Sequence, residues 1–169
     1  MRHRIGKFMR QVLDWHAALW SGLISGVIFI TLNMLLTWYA VGSPWVYVRM
    51  FASIVMGKGV LPPPASFEWG IFIVGTLVSL ALAMLLTFLI TSITYRWGLI
   101  VGFLGGGLLG LAIYVINFYS ISYFFPWFYP MRSWMMLVSH IIFGALAGGI
   151  YEILEVEEFV PVERKRSKS

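Results

Sequence analysis

The residues of this chain that could do chemistry are a few polar side chains set within or beside long apolar stretches. They are Asn33, Glu68, Tyr114, Asn117, Ser139 and His140. Polar groups are costly to bury in an apolar environment, so each is a candidate for function. An imidazole can exchange protons near neutral pH, whereas amides and hydroxyls orient a bound molecule through hydrogen bonds. We treat these residues together as a candidate polar pocket.

Two interpretations of the candidate polar pocket stay open. In the first, the side chains satisfy one another as hydrogen bonds between helices, each worth about 0.6 to 2 kcal/mol. In the second, they line a wet pocket in which Glu68 or another carboxylate stabilises a protonated His140. We favour the first, because the apolar stretches supply no certain counter-charge at the depth of His140, and Asn117 can satisfy a neutral ring.

Catalytic and metal-binding motifs do not accompany these residues. None of the GxSxG, HExxH, Walker or GxGxxG motifs occurs in its required structural context. The chain has no cysteine, which excludes a thiolate nucleophile, a disulfide framework and Cys-ligated zinc. We therefore expect no catalytic residue, no metal, no cofactor and no enzymatic activity.

The apolar stretches that must position the candidate pocket are long enough to cross a membrane. The chain has 169 residues, of which 60% are hydrophobic and 11% charged, whereas a soluble domain carries about 25% charged residues. A membrane-crossing helix needs about 20 apolar residues. Four stretches qualify, at about 15–40, 69–95, 98–120 and 134–154. The first is too long for a signal peptide, whose apolar region has about 7 to 15 residues.

The fold class predicted from these stretches is an all-α, polytopic integral membrane protein. We expect one membrane domain, 1–169, built as a bundle of four transmembrane helices. Within the outer loop 41–68, the apolar segment 44–56 is too short to span and predicts an interfacial or re-entrant helix. The prolines at 62–64 indicate a rigid spacer in preference to a recruitment motif. An aromatic loop, 121–133, joins the last two helices, and its residues 124–129 could cover the pocket together with Arg132.

The distribution of positive charge predicts the orientation. With the N-terminus inside, the inner side holds Arg2, Arg4, Lys7, Arg10, Arg96, Arg164, Lys165, Arg166 and Lys168, and the outer side holds Arg49, Lys58 and Arg132. Lysine and arginine concentrate in cytoplasmic loops, so both termini, 1–14 and 155–169, are predicted to be cytoplasmic. The net charge of +5 lies at the chain ends beside apolar runs, which favours anionic lipid over nucleic acid as its partner. We expect the acidic residues after 154 to extend the fourth helix into water.

Small residues recur at helical spacing in all four apolar stretches. They include Gly22 and Gly26 in the first stretch, Gly98, Gly102, Gly106 and Gly110 in the third, and Gly144 and Gly148 in the fourth. Small residues let helix backbones approach closely in lipid, so the pattern predicts tight packing of the glycine-zipper kind. The glycine face of the third helix meets either a neighbour in the same chain, which we favour, or another subunit.

The C-terminal half of the chain resembles the YagU-like bacterial inner-membrane proteins. The resemblance rests on Trp97-Gly98-Leu99, Phe125-Pro126-Trp127, and Ser139-His140 with Phe143-Gly144 leading to Glu152. It covers roughly 97–152, together with a proline cluster like that at 61–64. In that family the histidine tends to follow Phe-Gly, whereas His140 precedes Phe143-Gly144. The resemblance implies location in the bacterial inner membrane and no established activity.

The sequence as a whole predicts a non-enzymatic structural or accessory membrane protein. Its small-residue faces favour self-association or attachment to a larger membrane complex. The alternative is a small channel or transporter whose polar pocket lies in the outer half of the bundle and includes Asn33, Asn117 and His140.

Overall fold

The computed structural model describes residues 9–156 and 158–161, and the fold is 83% helical. The described elements are β1 (Met9–Val12), α1 (Trp15–Val41), α2 (Trp45–Met56), α3 (Trp69–Thr94), α4 (Gly98–Phe124), α5 (Trp134–Leu154) and β2 (Glu158–Pro161). Two 3-10 turns, Lys58–Val60 and Pro126–Met131, lie in the long loops. The prediction of an all-helical chain with long apolar helices is therefore confirmed.

Four described helices are long and apolar enough to cross a membrane. They are α1, α3, α4 and α5, with 27, 26, 27 and 21 residues and mean hydropathies of 1.9, 2.5, 2.3 and 1.7 in their most apolar windows. Each exceeds the roughly 20 residues needed to cross the hydrocarbon core. This supports an integral membrane protein. The third predicted stretch ends at about 120, whereas the corresponding helix, α4, continues to Phe124.

The two chain ends meet in a small antiparallel sheet that the sequence does not predict. β1 pairs with β2 so that Arg10 lies opposite Val160 and Val12 opposite Glu158. The expectation that the acidic residues extend the last helix is wrong, because α5 ends at Leu154 and Glu155 has extended backbone angles. We call the end of the molecule that carries this sheet the proximal end and the opposite end the distal end. The basic segments 1–8 and 162–169, with their predicted contacts to anionic lipid, lie outside the described residues.

Asp14 connects the start of α1 to the end of α5 at the proximal end. Its Oδ1 accepts hydrogen bonds from the backbone N–H groups of His16 (2.9 Å) and Ala17 (3.1 Å), which caps α1. Its Oδ2 accepts from the N–H of Val156 at 3.2 Å. The Tyr151 hydroxyl accepts from the Asp14 N–H at 3.1 Å. An isolated two-stranded sheet is marginally stable, so these bonds hold the chain ends in place.

Replacing Asp14 is expected to separate its capping role from its charge. Partial burial raises the pKa of the Asp14 carboxyl, but the N–H donors of Ala17, Val156 and His16 lower it, so the pKa lies below its ordinary value of 3.8. Asp14 therefore contributes stability that is present above pH 3.8 and lost as the pH falls through the folded-state pKa. D14A should cost about 1 kcal/mol at pH 7 through loss of the cap. D14N should keep most of the cap but lose this acid-dependent contribution.

Thermal unfolding of the three proteins in mild detergent, at pH 7 and at pH 3, measures both effects. The native chain should lose more stability on acidification than D14N. Equal acid sensitivity in the native chain and D14N would show that the Asp14 carboxylate does not carry the effect.

The long helices pack as antiparallel neighbours in the spatial order α3, α1, α5, α4. The most extensive contact joins α4 and α5, followed by α1 with α5 and α1 with α3, whereas α3 and α4 touch far less. Buried hydroxyls bond across these contacts. Ser21 donates to the carbonyl oxygen of Ala147 on α5 at 2.6 Å, and Ser25 lies 3.4 Å from the Thr87 hydroxyl on α3.

Glycines allow the backbones of α4 and α5 to touch. A Cβ added at Gly106 would collide with the carbonyl oxygen of Gly144, and one at Gly110 would collide with that of His140. The same holds in reverse at Gly148, whose added Cβ would meet the carbonyl oxygen of Gly102. Only hydrogen fits at these positions. The glycine face of α4 therefore lies against α5 of the same chain.

The remaining predicted packing glycines divide into two groups. An added Cβ would lie 3.3 Å from Met84 Cα at Gly22 and 3.0 Å from Ala83 Cβ at Gly26, so both lie against α3. Gly98 does not belong to the packing face. It has a φ of +77° and nothing within 4 Å of an added Cβ. Gly98 is the first residue of α4 and lies at the turn from α3, where a positive φ favours glycine.

The short helix α2 lies along the distal half of α3. An added Cβ at Gly75 would collide with the carbonyl oxygen of Val48, so the two backbones touch there. The buried hydroxyls of Tyr47 and Ser79 share a hydrogen bond of 2.7 Å. The small residues of α3 therefore accept α2 on the distal half and α1 on the proximal half.

Candidate functional site

A buried polar cluster joins α1 and α5 within the distal half of the helices. The Ser139 hydroxyl donates to Asn33 Oδ1 at 3.1 Å, and Asn33 Nδ2 donates to the carbonyl oxygen of Phe29 at 2.8 Å. Both side chains are almost fully buried. The amide of Asn33 and the hydroxyl of Ser139 thus bond to each other inside the protein.

His140 lies next to this cluster on α5. Its Nδ1 is 2.8 Å from the carbonyl oxygen of Met136. A carbonyl oxygen only accepts hydrogen bonds, so Nδ1 carries the hydrogen and, in the neutral ring, Nε2 is an acceptor. Nε2 has no hydrogen-bond partner among the residues that the structure describes. The ring packs edge-on against Phe29 and Tyr114, with centroid distances of 5.0 and 5.5 Å.

Tyr114 and Asn117 bring α4 to the same region. The Tyr114 hydroxyl donates to the carbonyl oxygen of Ser133 at 3.3 Å, which ties α4 to the start of α5. Asn117 is half-buried and lines a cavity together with His140. Within the described part of the chain, the Asn117 amide makes no hydrogen bond, so the expectation that Asn117 satisfies the His140 ring is wrong.

Glu68, by contrast, does not join the candidate polar pocket. Its carboxylate forms an ion pair with Arg49, with 2.6 Å between Oε1 and Nη2, and its side chain is 57% exposed. Arg49 is buried on α2 and also donates to the carbonyl oxygens of Val60 (2.8 Å) and Ser66 (3.0 Å). The pair fastens the loop before α3 to α2. A carboxylate beside His140, required by the second interpretation, is therefore not supplied by Glu68.

The cavity that His140 and Asn117 line has a volume of about 170 Å³. Its floor and walls are mostly aromatic and aliphatic, with Phe29 from α1 and Met136 and Phe143 from α5. Besides His140 and Asn117, Ser79 is the polar residue of its lining, and the hydroxyl of Ser79 is bonded to Tyr47. The lining has no charged side chain. The cavity therefore suits an apolar molecule with one neutral polar group.

An aromatic roof separates the cavity from the distal end. Phe51 of α2 and Phe128 of the loop 121–133 both line it and pack edge-on with centroids 5.8 Å apart. Trp127 Nε1 donates to the Ser53 hydroxyl at 2.9 Å, which fixes this loop to α2. The sequence-based prediction placed this cover on residues 124–129 together with Arg132. Arg132 lies outside the roof, over the rings of Tyr119 and Tyr129.

The gap between α3 and α4 is the open side of the cavity. On α3 the lining consists of Ser79, Leu82, Ala83, Leu85 and Leu86, and on α4 it includes Asn117 and Ile121. Leu85 lies on the outer face of α3 and is 63% exposed. Because α3 and α4 pack loosely against each other, the cavity opens between them, at the side of the group of helices.

Two parts of the site were missed in the sequence. The partner of the predicted pocket residue Glu68 was missed, because Arg49 was assigned only to the outer loop, although a lone arginine in an apolar helix and the one acidic residue of the same loop were a signal for a pair outside the cavity. The roof residue Phe51 had no signal, because its role depends on where α2 lies.

Comparisons with protein-family models, curated proteins and solved structures find no match to this chain, so its resemblance to YagU-like proteins stays a prediction.

Proposed function

We propose that the chain is a non-enzymatic integral membrane protein that acts as a structural or accessory component of the membrane. The observation that carries this proposal is the internal bonding of polar side chains in the long helices. Ser21, Asn33 and Ser139 all bond to other groups of the same chain. Such bonds stabilise helix contacts in lipid, which supports a structural role.

We further propose that the four long helices form one bundle in a bacterial inner membrane, with both termini in the cytoplasm. Nine of the twelve lysines and arginines lie on the side of the termini, and such a bias is typical of cytoplasmic loops. The pairing of β1 with β2 supports a common side for both chain ends. α2 would be re-entrant, because it meets Gly75, six residues along α3 from Trp69, a depth of about 9 Å.

Reconstitution tests the proposal against its alternative, a channel or transporter that uses Asn33, Asn117 and His140. Proteoliposomes should show no flux of protons, metal ions or small polar solutes above that of protein-free vesicles. Flux that is lost on replacing Asn117 by leucine, while the variant remains folded, would contradict the accessory role and favour the alternative.

The accessory role also predicts that the chain belongs to a larger complex in its own membrane. Extracted in mild detergent from native membranes, the chain should migrate as a complex larger than its own mass of 19.2 kDa with bound detergent. Migration as a single chain after extraction, and equally after crosslinking in intact membranes, would contradict self-association and attachment to a larger complex.

A further inference from the structure

The strongest unassigned feature of the molecule is the roofed cavity between α3 and α4. We propose that it binds the chain of a neutral, hydroxyl-bearing lipid, which enters sideways between α3 and α4 and hydrogen bonds through its polar end to Asn117 and His140. The inference goes beyond the proposed function and rests only on the position of the helices in a membrane.

The apolar lining and the volume determine what part of such a lipid can enter. A cavity of about 150 Å³ lined by aliphatic and aromatic side chains stays dry and holds a benzene molecule. The cavity of about 170 Å³ therefore accepts a segment of hydrocarbon of similar bulk. The aromatic roof of Phe51 and Phe128 blocks the distal end, so the entrance lies toward the lipid, where acyl chains are abundant.

The polar groups of the cavity determine the chemistry of the other end of the ligand. The Asn117 amide offers two donors and one acceptor, and Nε2 of His140 offers an acceptor. Neither group has a hydrogen-bond partner elsewhere in the described chain, and leaving such groups unsatisfied in an apolar environment is costly. A hydroxyl donates to Nε2 and accepts from the amide, so one hydroxyl satisfies both kinds of site.

The absence of charge from the lining, together with its depth, disfavours a phosphate. The residues that line the cavity include no lysine or arginine to balance an anion. Asn117 lies seven residues before the end of α4, which is about 10 Å along the helix. α4 is about 40 Å long and the hydrocarbon core is about 30 Å thick, so Asn117 lies roughly 5 Å inside the hydrocarbon. A phosphate would carry an unbalanced charge into that region, at a much greater cost than a neutral hydroxyl that is hydrogen bonded there.

Photolabelling of the reconstituted full chain tests the proposal. The vesicles are phosphatidylcholine with a trace of one probe that carries a diazirine in its hydrocarbon chain. Three probes are compared, namely diacylglycerol, a polyprenyl alcohol and phosphatidylcholine itself. The two hydroxyl-bearing probes share the required chemistry, and the stronger labelling of one identifies the source. We expect labels on Leu82, Leu86 and Ile121. Labelling by a hydroxyl-bearing probe should exceed labelling by the phosphatidylcholine probe at least about fivefold, because the phosphatidylcholine probe has no hydroxyl and lacks about one hydrogen bond.

Two tryptophan variants on α4 provide a matched pair. I121W fills the cavity and should lower labelling at least tenfold, whereas I116W places the same ring on the lipid side, where Ile116 is 61% exposed, and should leave it within twofold. N117L and H140F should each lower labelling several-fold, by the loss of one hydrogen bond. A second measurement uses the native chain alone and does not depend on the folding of a variant. Unlabelled diacylglycerol or polyprenyl alcohol should compete with the probe and lower its labelling. Equal labelling of I121W and I116W, or labelling that neither alcohol displaces, would overturn the proposal.

Discussion

Alanine at Gly106 is expected to destabilise the protein by at least about 1 to 3 kcal/mol, the range for overpacking a tight interface. The new Cβ would collide with the carbonyl oxygen of Gly144. Backbone cannot move aside as a flexible side chain can, so α4 and α5 must separate. This contact is the most extensive between any two described helices. Leucine at Gly106 should have a larger effect, up to loss of the folded protein from mild detergent.

Gly105 is the matched control on the neighbouring position of the same helix. An added Cβ there would lie 3.7 Å from Val101 Cγ1, an ordinary contact. Alanine is a better helix former than glycine by about 1 kcal/mol, so G105A should be neutral or slightly stabilising. Thermal or denaturant unfolding in detergent compares the two variants. Equal stability of G105A and G106A would contradict the close packing of α4 on α5.

Removing the Arg49 guanidinium is expected to free the loop before α3. In R49A the carbonyl oxygens of Val60 and Ser66 lose charged hydrogen-bond donors, each bond worth about 1.5 to 3 kcal/mol. A total of about 3 kcal/mol corresponds to a roughly hundredfold rise in local opening. Lysine cannot reproduce the planar fork of the guanidinium, so R49K should give an intermediate effect.

Trypsin cleavage after Lys58, an exposed residue of this loop, measures the opening. The control is E68Q, which keeps Arg49 and its carbonyl contacts. Because the Glu68 side chain is 57% exposed, its ion pair should contribute about 1 kcal/mol or less. Cleavage should therefore accelerate far more in R49A than in E68Q. Equal acceleration would place the stabilisation in the ion pair and not in the carbonyl contacts.

Hydrophobic length and small-residue spacing carried most of what could be predicted about the fold. Glycines four residues apart share one helix face, which placed Gly102, Gly106 and Gly110 together. The same spacing misassigned Gly98, because a glycine needed for a positive φ and one needed for close packing have the same identity. The pairing of β1 with β2 joins residues about 150 positions apart, and no local pattern contains that information.

Contacts in the candidate site could be predicted only where two side chains lie at similar distances from the distal ends of neighbouring helices. Asn33 lies about two turns and Ser139 about one and a half turns from the distal ends of their helices, and they meet in the structure. Glu68 lies just before α3, where its partner depends on the path of the preceding loop. It pairs with Arg49 and not with His140. The cavity depends on the loose contact of α3 with α4, which neither helix reveals by itself.

Labelling of single cysteines with a membrane-impermeant maleimide tests the central claim, a four-span protein in which α1 and α5 pack closely around buried polar side chains, most directly. The natural chain has no cysteine, so each introduced thiol reports one position. In intact right-side-out membranes, K58C at the distal end should react and W97C at the proximal turn should react only after permeabilisation. S139C, in the buried contact with Asn33, should react under neither condition while the protein is folded. Labelling of S139C from either side, or of W97C in intact membranes, would contradict the account.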